Sequence, residues 1–156
     1  MSKTKIEIGG NAPQFSLEGT GGDWSLAQGK GSAVVIYFYP RDNTSGCTQE
    51  GLDFAALHAQ FKKAKAQIVG ISPDSVASHE KFKKKMSFPF ELLSDPEQKV
   101  CKLYDVFKEK SMYGRKYMGV ERSTFLIDAK GVLRHEWRKV KVKEHAEAVL
   151  AAVKAL

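Results

Sequence analysis

Pro40, Thr44, Cys47 and Glu50 fall within one short stretch, Phe38-Tyr39-Pro40-Arg41-Asp42-Asn43-Thr44-Ser45-Gly46-Cys47-Thr48-Gln49-Glu50. An ionised cysteine is a strong nucleophile, and the ionised form does the chemistry. With Thr44 as the N-cap of a following helix, Cys47 takes the third helical position. Unpaired amides and the positive end of the helix dipole favour an anion there. The sulfur is therefore expected to be a thiolate at neutral pH. The Thr44 hydroxyl is expected to bond either the amide of Cys47 or a bound oxygen. Glu50 suits a site position, and it equally suits a first-turn carboxylate complementing the dipole. A buried, inert packing cysteine is the alternative for Cys47. Its neighbours Gly46 and Thr48 speak against that, because a packing cysteine usually sits in an apolar stripe.

The elements around this stretch must position it. Ala33-Val34-Val35-Ile36-Tyr37-Phe38-Tyr39 is a short uninterrupted run of β-branched and aromatic residues, which reads as a central strand covered on both faces. Pro40 ends it. Phe54, Leu57, Phe61 and Ala64 then mark an amphipathic helix, so the reactive stretch joins a buried strand to a helix. Ligand sites of α/β sheets lie at such junctions.

Upstream, Phe15 and Leu17 alternate with polar residues among closely spaced glycines, as in a hairpin. Downstream, Gln67 to Ser72 is a second buried strand. A helix over Val76 to Met86 follows, with Asp74 or Ser75 near its cap, and then a short strand at Phe90 to Leu93. Asp95-Pro96 predicts a helix start, opening a helix with Val100, Cys101 and Tyr104 on one face. Ser123 to Asp128 is another strand, turned back through Ala129-Lys130-Gly131 into Val132 to Trp137. Ala146, Val149, Leu150 and Val153 predict a closing helix. Together these give an α/β fold of three layers around a mixed sheet.

The 156 residues suit one domain with a core of its own. A hydrophobic share of 42% and a charged share of 28% are ordinary for a globular chain. No apolar run of spanning length occurs, and the N-terminal residues lack the apolar block of a signal peptide. With only two cysteines, no disulfide scaffold or four-ligand zinc site is expected. A cytoplasmic setting follows. The net charge of +7 comes mostly from lysines interleaved with apolar residues, such as Lys83-Lys84-Lys85. These read as solvated faces rather than a nucleic-acid surface. His58, His79, His135 and His145 have no metal-ligand partner at i+3 or i+4 and read as solvated or packing residues. Gly19, Gly21 and Gly22 form no phosphate loop. No metal, nucleotide or other cofactor is expected.

Pro40-x-x-x-Thr44-x-x-Cys47 resembles the active-site signature of the peroxiredoxins. Tyr37-Phe38-Tyr39-Pro40 and Gly46-Cys47-Thr48-x-Glu50 resemble their bacterioferritin-comigratory-protein (PrxQ) branch. Gly70-Ile71-Ser72-Pro73-Asp74-Ser75, Leu93-Ser94-Asp95-Pro96, Arg122-Ser123-Thr124-Phe125-Leu126-Ile127-Asp128 and Trp137-Arg138-Lys139-Val140-Lys141-Val142 are similar to stretches of that branch in the same order. The resemblance implies a thioredoxin-like fold and a thiol-dependent peroxidase acting on hydrogen peroxide and organic hydroperoxides. In that family the residue matching Cys47 attacks the terminal peroxide oxygen and becomes a sulfenic acid. The residue matching Thr44 bonds the peroxide, the one matching Pro40 shields the pocket, and the one matching Arg122 lies against the sulfur. Without the resemblance, Arg122 reads as a surface ion-pair residue.

Two departures bear on the reaction cycle. Many relatives carry a second cysteine five residues after the first, where this chain has Leu52. Others carry it on the next helix, where Val76 to Met86 contains none. Cys101 is then either a packing residue or a resolving cysteine that reaches Cys47 only after local unfolding. Otherwise an external thiol regenerates Cys47: thioredoxin, glutaredoxin or glutathione. Ser45 also stands where relatives often have proline. A monomer is expected. Two rival readings are a thiol–disulfide oxidoreductase, disfavoured because Cys47 has no Cys-x-x-Cys partner, and a non-enzymatic basic binding or chaperone module.

Overall fold

The computed structural model describes residues 6–156; residues 1–5, on which the reading of the leader rests, lie outside the described part. A seven-stranded sheet runs in the order β2-β1-β5-β4-β3-β8-β9. β3 (Ala33–Phe38) lies in its interior, and all six of its residues are buried. β3 pairs in parallel with β4 (Ala66–Ser72) and antiparallel with β8 (Ser123–Ile127). β5 (Glu91–Ser94) extends the parallel part beside β4. The hairpin of β1 (Ser16–Gly19) and β2 (Gly22–Ser25) closes one edge, and β9 (Leu133–Trp137) closes the other. The sheet is mixed because β8 runs antiparallel to β3, and the Asp128–Gly131 turn sends β9 straight back beside it. Asp128 fixes that turn by accepting from the amides of Lys130 and Val132.

Alternation along β3 sends its side chains to two separate cores. Val35, Tyr37 and Tyr39 pack under α1 (Ser45–Lys63), α2 (Val76–Met86) and α4 (His145–Lys154), through Phe54, Phe61, Phe82 and Val149. Val34, Ile36 and Phe38 face a thinner layer, built from the 3-10 turn Leu26–Gly29 and the five-residue helix α3 (Lys99–Leu103). Burying both faces of β3 explains why its sequence is apolar throughout rather than alternating.

Two expectations are corrected here. Asp95-Pro96 does not open a helix. Asp95 and Pro96 begin a turn in which the Gln98 amide bonds the Asp95 carbonyl at 3.0 Å, and α3 starts only after Gln98. Asp95 still serves that helix, because its carboxylate accepts from the Cys101 amide, third in α3, at 2.8 Å. It caps from a distance rather than from the N-cap position. Secondly, a hairpin of β6 (Phe107–Met112) and β7 (Arg115–Val120) stands where the sequence suggests no element. It is largely exposed on both sides, so no apolar alternation marks it. Its signal is the two-residue turn Tyr113-Gly114, both at positive φ, which matches the twist of the flanking strands.

Candidate active site

The end of β3 delivers the chain to Pro40, and Asn43 takes a left-handed conformation that swings it into α1. Asparagine tolerates that region better than most residues. Thr44 is the N-cap and Cys47 the third helical residue, as the spacing predicts. The Thr44 hydroxyl, however, does not bond the helix. It donates to the Arg41 carbonyl at 3.0 Å, closing its own loop.

Cys47, Glu50, Gly51, Phe54 and Phe61 make up the buried face of α1. Cys47 is 2% exposed, so the reactive residue shares the packing stripe that its sequence neighbours argued against. What separates it from a packing cysteine is its contact: Arg122, just before β8, donates from Nη2 to Cys47 Sγ at 3.3 Å. The same guanidinium bonds Glu50 Oε1 through Nη1 at 2.6 Å. Arg122 is thus a fork between a thiol and a carboxylate, not a surface ion pair. Gly46 makes room for it, since a Cβ at that position would stand 3.1 Å from Arg122 Nη2.

Glu50 is the sixth residue of α1 and is 1% exposed, so it is not a first-turn carboxylate. Burial pushes its carboxyl up to about 7, against the pull of Arg122. Burial works against the charge of Arg122 as well, but Glu50 and Cys47 outweigh it and raise its pKa. The Tyr37 phenol is raised well above its ordinary value by burial first and then by Glu50 and Cys47. Burial and Arg122 bring His145 down to about 4, and its Nε2 meets the Thr124 hydroxyl at 2.8 Å.

The other histidine near the site was not legible from spacing along the chain. His79, fully buried on α2, meets Asp42 Oδ2 at 2.7 Å through Nδ1 and the Leu93 carbonyl at 2.9 Å through Nε2. Tyr39 and Ser78 also donate to Asp42, whose amide donates to Asp74 at 2.7 Å. Burial works against the Asp42 charge, yet bonds from His79 and Tyr39 hold its pKa below the ordinary value. Asp42, Asp74 and His79 place ligand-type atoms within 4.8 Å of one another, but these atoms are engaged in bonds among themselves and with Ser72, Ser78 and Tyr39. The cluster clasps the reactive loop to α2 and the end of β4. Its members come from three elements, so i+3 or i+4 spacing does not reveal it.

Pro40, Arg41 and Thr44 rim a groove of about 580 Å³ whose opposite wall is the β6–β7 hairpin, through Met112, Tyr117 and Met118. Cys101 lies elsewhere. It is fully buried in the apolar cluster on the opposite face of the sheet from Cys47, and burial and Asp95 push its thiol far above the ordinary range.

A reactive-type cysteine in the first turn of a helix, at the end of the central strand of such a sheet and beneath an arginine, defines a thioredoxin-fold thiol enzyme. The comparisons make this specific: residues 8–136 match the AhpC/TSA family, and the chain belongs to it. It is similar to the peroxiredoxin Bcp of Bacillus subtilis, with 50% identity over 96% of each chain. Solved relatives include a cysteine-to-serine variant of Xylella fastidiosa PrxQ, with a TM-score of 0.91 and 42% identity over 97% of each chain. Another is the Xanthomonas campestris bacterioferritin comigratory protein, described for its alkyl peroxide reduction activity. It has a TM-score of 0.86 and 51% identity over 90% of each chain. The chain is accordingly a peroxiredoxin, a thiol-dependent peroxidase, with the thioredoxin-like fold expected for one. Among the described residues no helix is long and apolar enough to cross a membrane.

Proposed function

We propose that Cys47 reduces hydrogen peroxide and organic hydroperoxides in a one-cysteine cycle completed by an external thiol. The observation that carries this is the 3.3 Å bond from Arg122 to Cys47 Sγ. The bond places a fixed cation beside the sulfur that must react as a thiolate. It also stabilises the negative charge that spreads over sulfur and the departing oxygen as the O–O bond breaks. The thiolate attacks the terminal oxygen of R–O–O–H. A sulfur–oxygen bond forms, the O–O bond breaks, and the electron pair leaves on RO⁻, which a proton converts to ROH. Cys47 is left as a sulfenic acid.

Thr44 serves this step from the mouth of the groove. Its hydroxyl is exposed and tied only to a backbone carbonyl, so it can turn to accept from the terminal O–H of the peroxide or donate to its oxygens. Pro40 forms the rim on the same side and offers no amide to hold water there. The apolar wall of Met112, Tyr117 and Met118 suits the carbon chain of an alkyl hydroperoxide, the substrate type named for the Xanthomonas relative.

Regeneration by Cys101 is disfavoured because β3 and its neighbours stand between the two thiols. A disulfide needs Cα atoms within about 7 Å. The reductant is then thioredoxin, glutaredoxin or glutathione, meeting the sulfenic acid as a monomer in the cytoplasm, with residues 1–156 acting as one domain. Cys47→Ser is expected to abolish peroxide consumption while leaving the fold intact, and retained turnover would remove Cys47 from the mechanism. No insulin reduction is expected, which separates this reading from a thiol–disulfide oxidoreductase.

A further inference from the structure

Glu50 carries an anomaly that the peroxidase step leaves unused. Its Oε1 is bonded to Arg122, but its Oε2 is a buried side-chain polar atom with no partner, and it is the one such atom among the described residues. A full negative charge on a buried carboxylate with one orphaned oxygen is costly. Only Arg122 offsets it, and Arg122 is also the cation that serves the sulfur.

The charged and titratable groups around Glu50 are few. Cys47 and Asp53 lie on its own helix, Tyr37 faces it from β3, and Arg122 reaches it from the start of β8. His145, at the start of α4, faces Arg122. Tyr37 and His145 are held neutral by the shifts described above. Asp53 is half-exposed, adds a weak negative field and is bonded by Gln49. One guanidinium therefore faces two groups, each able to carry a negative charge.

We propose that Glu50 is a titrating positioning residue: as a neutral carboxyl it holds the Arg122 fork against Cys47 Sγ through Oε1, and its ionisation draws Arg122 toward the carboxylate and away from the sulfur. The proposal rests on Cys47 being the peroxide-reactive thiol. The reactive state is thiolate, guanidinium and neutral carboxyl, with no net charge. The neutral carboxyl also leaves both donors of the fork aimed where the reaction needs them, with Oε1 still accepting from Nη1.

The test is the rate of Cys47 oxidation by hydrogen peroxide as a function of pH, in the full chain and in two variants. The wild-type rate is expected to follow two steps. Glu50→Gln keeps an acceptor for Arg122 but cannot ionise, so it should lose one step. Glu50→Asp keeps a titrating group and should retain both steps. Superimposable profiles for the wild type and Glu50→Gln would overturn the proposal. So would loss of the second step in both variants, which would make shape rather than charge the decisive feature. If the wild type itself does not oxidise, the peroxidase reading fails instead, and the two failures are thereby distinguished.

Discussion

At the scale of single residues, the contacts of the site converge on one guanidinium, which bonds both Cys47 and Glu50. Arg122→Ala removes a donor that sits on the sulfur, and deletion of such a donor commonly costs about 100-fold or more in rate. Stopped-flow oxidation of Cys47 should show a loss of that order; an unchanged rate would take Arg122 out of the mechanism. Gly46→Ala should slow the same step more mildly, because the added methyl meets Nη2 at 3.1 Å and the guanidinium must give way. Glu50 also has a consequence for stability. Its folded-state value of about 7 lies above the ordinary 4.5, so the native state binds this proton more tightly than the unfolded chain. That contribution is fully present below about 4.5 and is lost as the pH rises through about 7. Thermal unfolding should therefore show the wild type losing stability over this window relative to Glu50→Gln. A constant difference between the two curves would contradict the assigned shift. The sequence made Cys47, Thr44 and Pro40 legible as a cluster because they are neighbours along the chain. Arg122 was visible only through family resemblance, since it is brought to the sulfur by the β3–β8 pairing.

At the scale of elements, the reactive loop is held from both ends. α1 anchors one end through the buried stripe that continues from Cys47 and Glu50 into Phe54 and Phe61. The clasp of Asp42 with His79, Tyr39 and Ser78 anchors the other end to α2. Both ring nitrogens of His79 meet oxygen acceptors, so removing Asp42 leaves a buried polar ring without its main partner. Leaving a buried polar group without its partner costs about 1–3 kcal/mol. Asp42→Ala should lose stability of that order in chemical denaturation, and it should slow oxidation because the loop bearing Thr44 loosens. A loss below about 1 kcal/mol, the scale of a surface pair, would show that the clasp is not structural. Most of the elements were readable beforehand: the continuous apolar run of β3, the spacing of Phe54 and Phe61, and the Asp128–Gly131 turn each carry a local signal. The β6–β7 hairpin was not, because an exposed ribbon has no core-facing side to impose alternation. Asp95-Pro96 misled because the same pair that starts a helix also starts a turn, and the long-range bond from Asp95 to the Cys101 amide decides between them.

At the scale of the whole molecule, the sheet separates the two thiols. Cys47 belongs to the core under α1, α2 and α4, whereas Cys101 belongs to the opposite core beside Val100 and Tyr104. Joining them requires taking apart the strand layer between, and no second thiol lies on α1 or α2 to make a shorter route. The most direct test is the intact mass of the fully reduced protein after one equivalent of hydrogen peroxide, followed by blocking of free thiols. One added oxygen on Cys47 is expected, with Cys101 still open to blocking once the chain is unfolded. A loss of two hydrogens with no thiol left to block, at a concentration where the chain is monomeric, would contradict it and would mean that the two cores open to each other during the cycle.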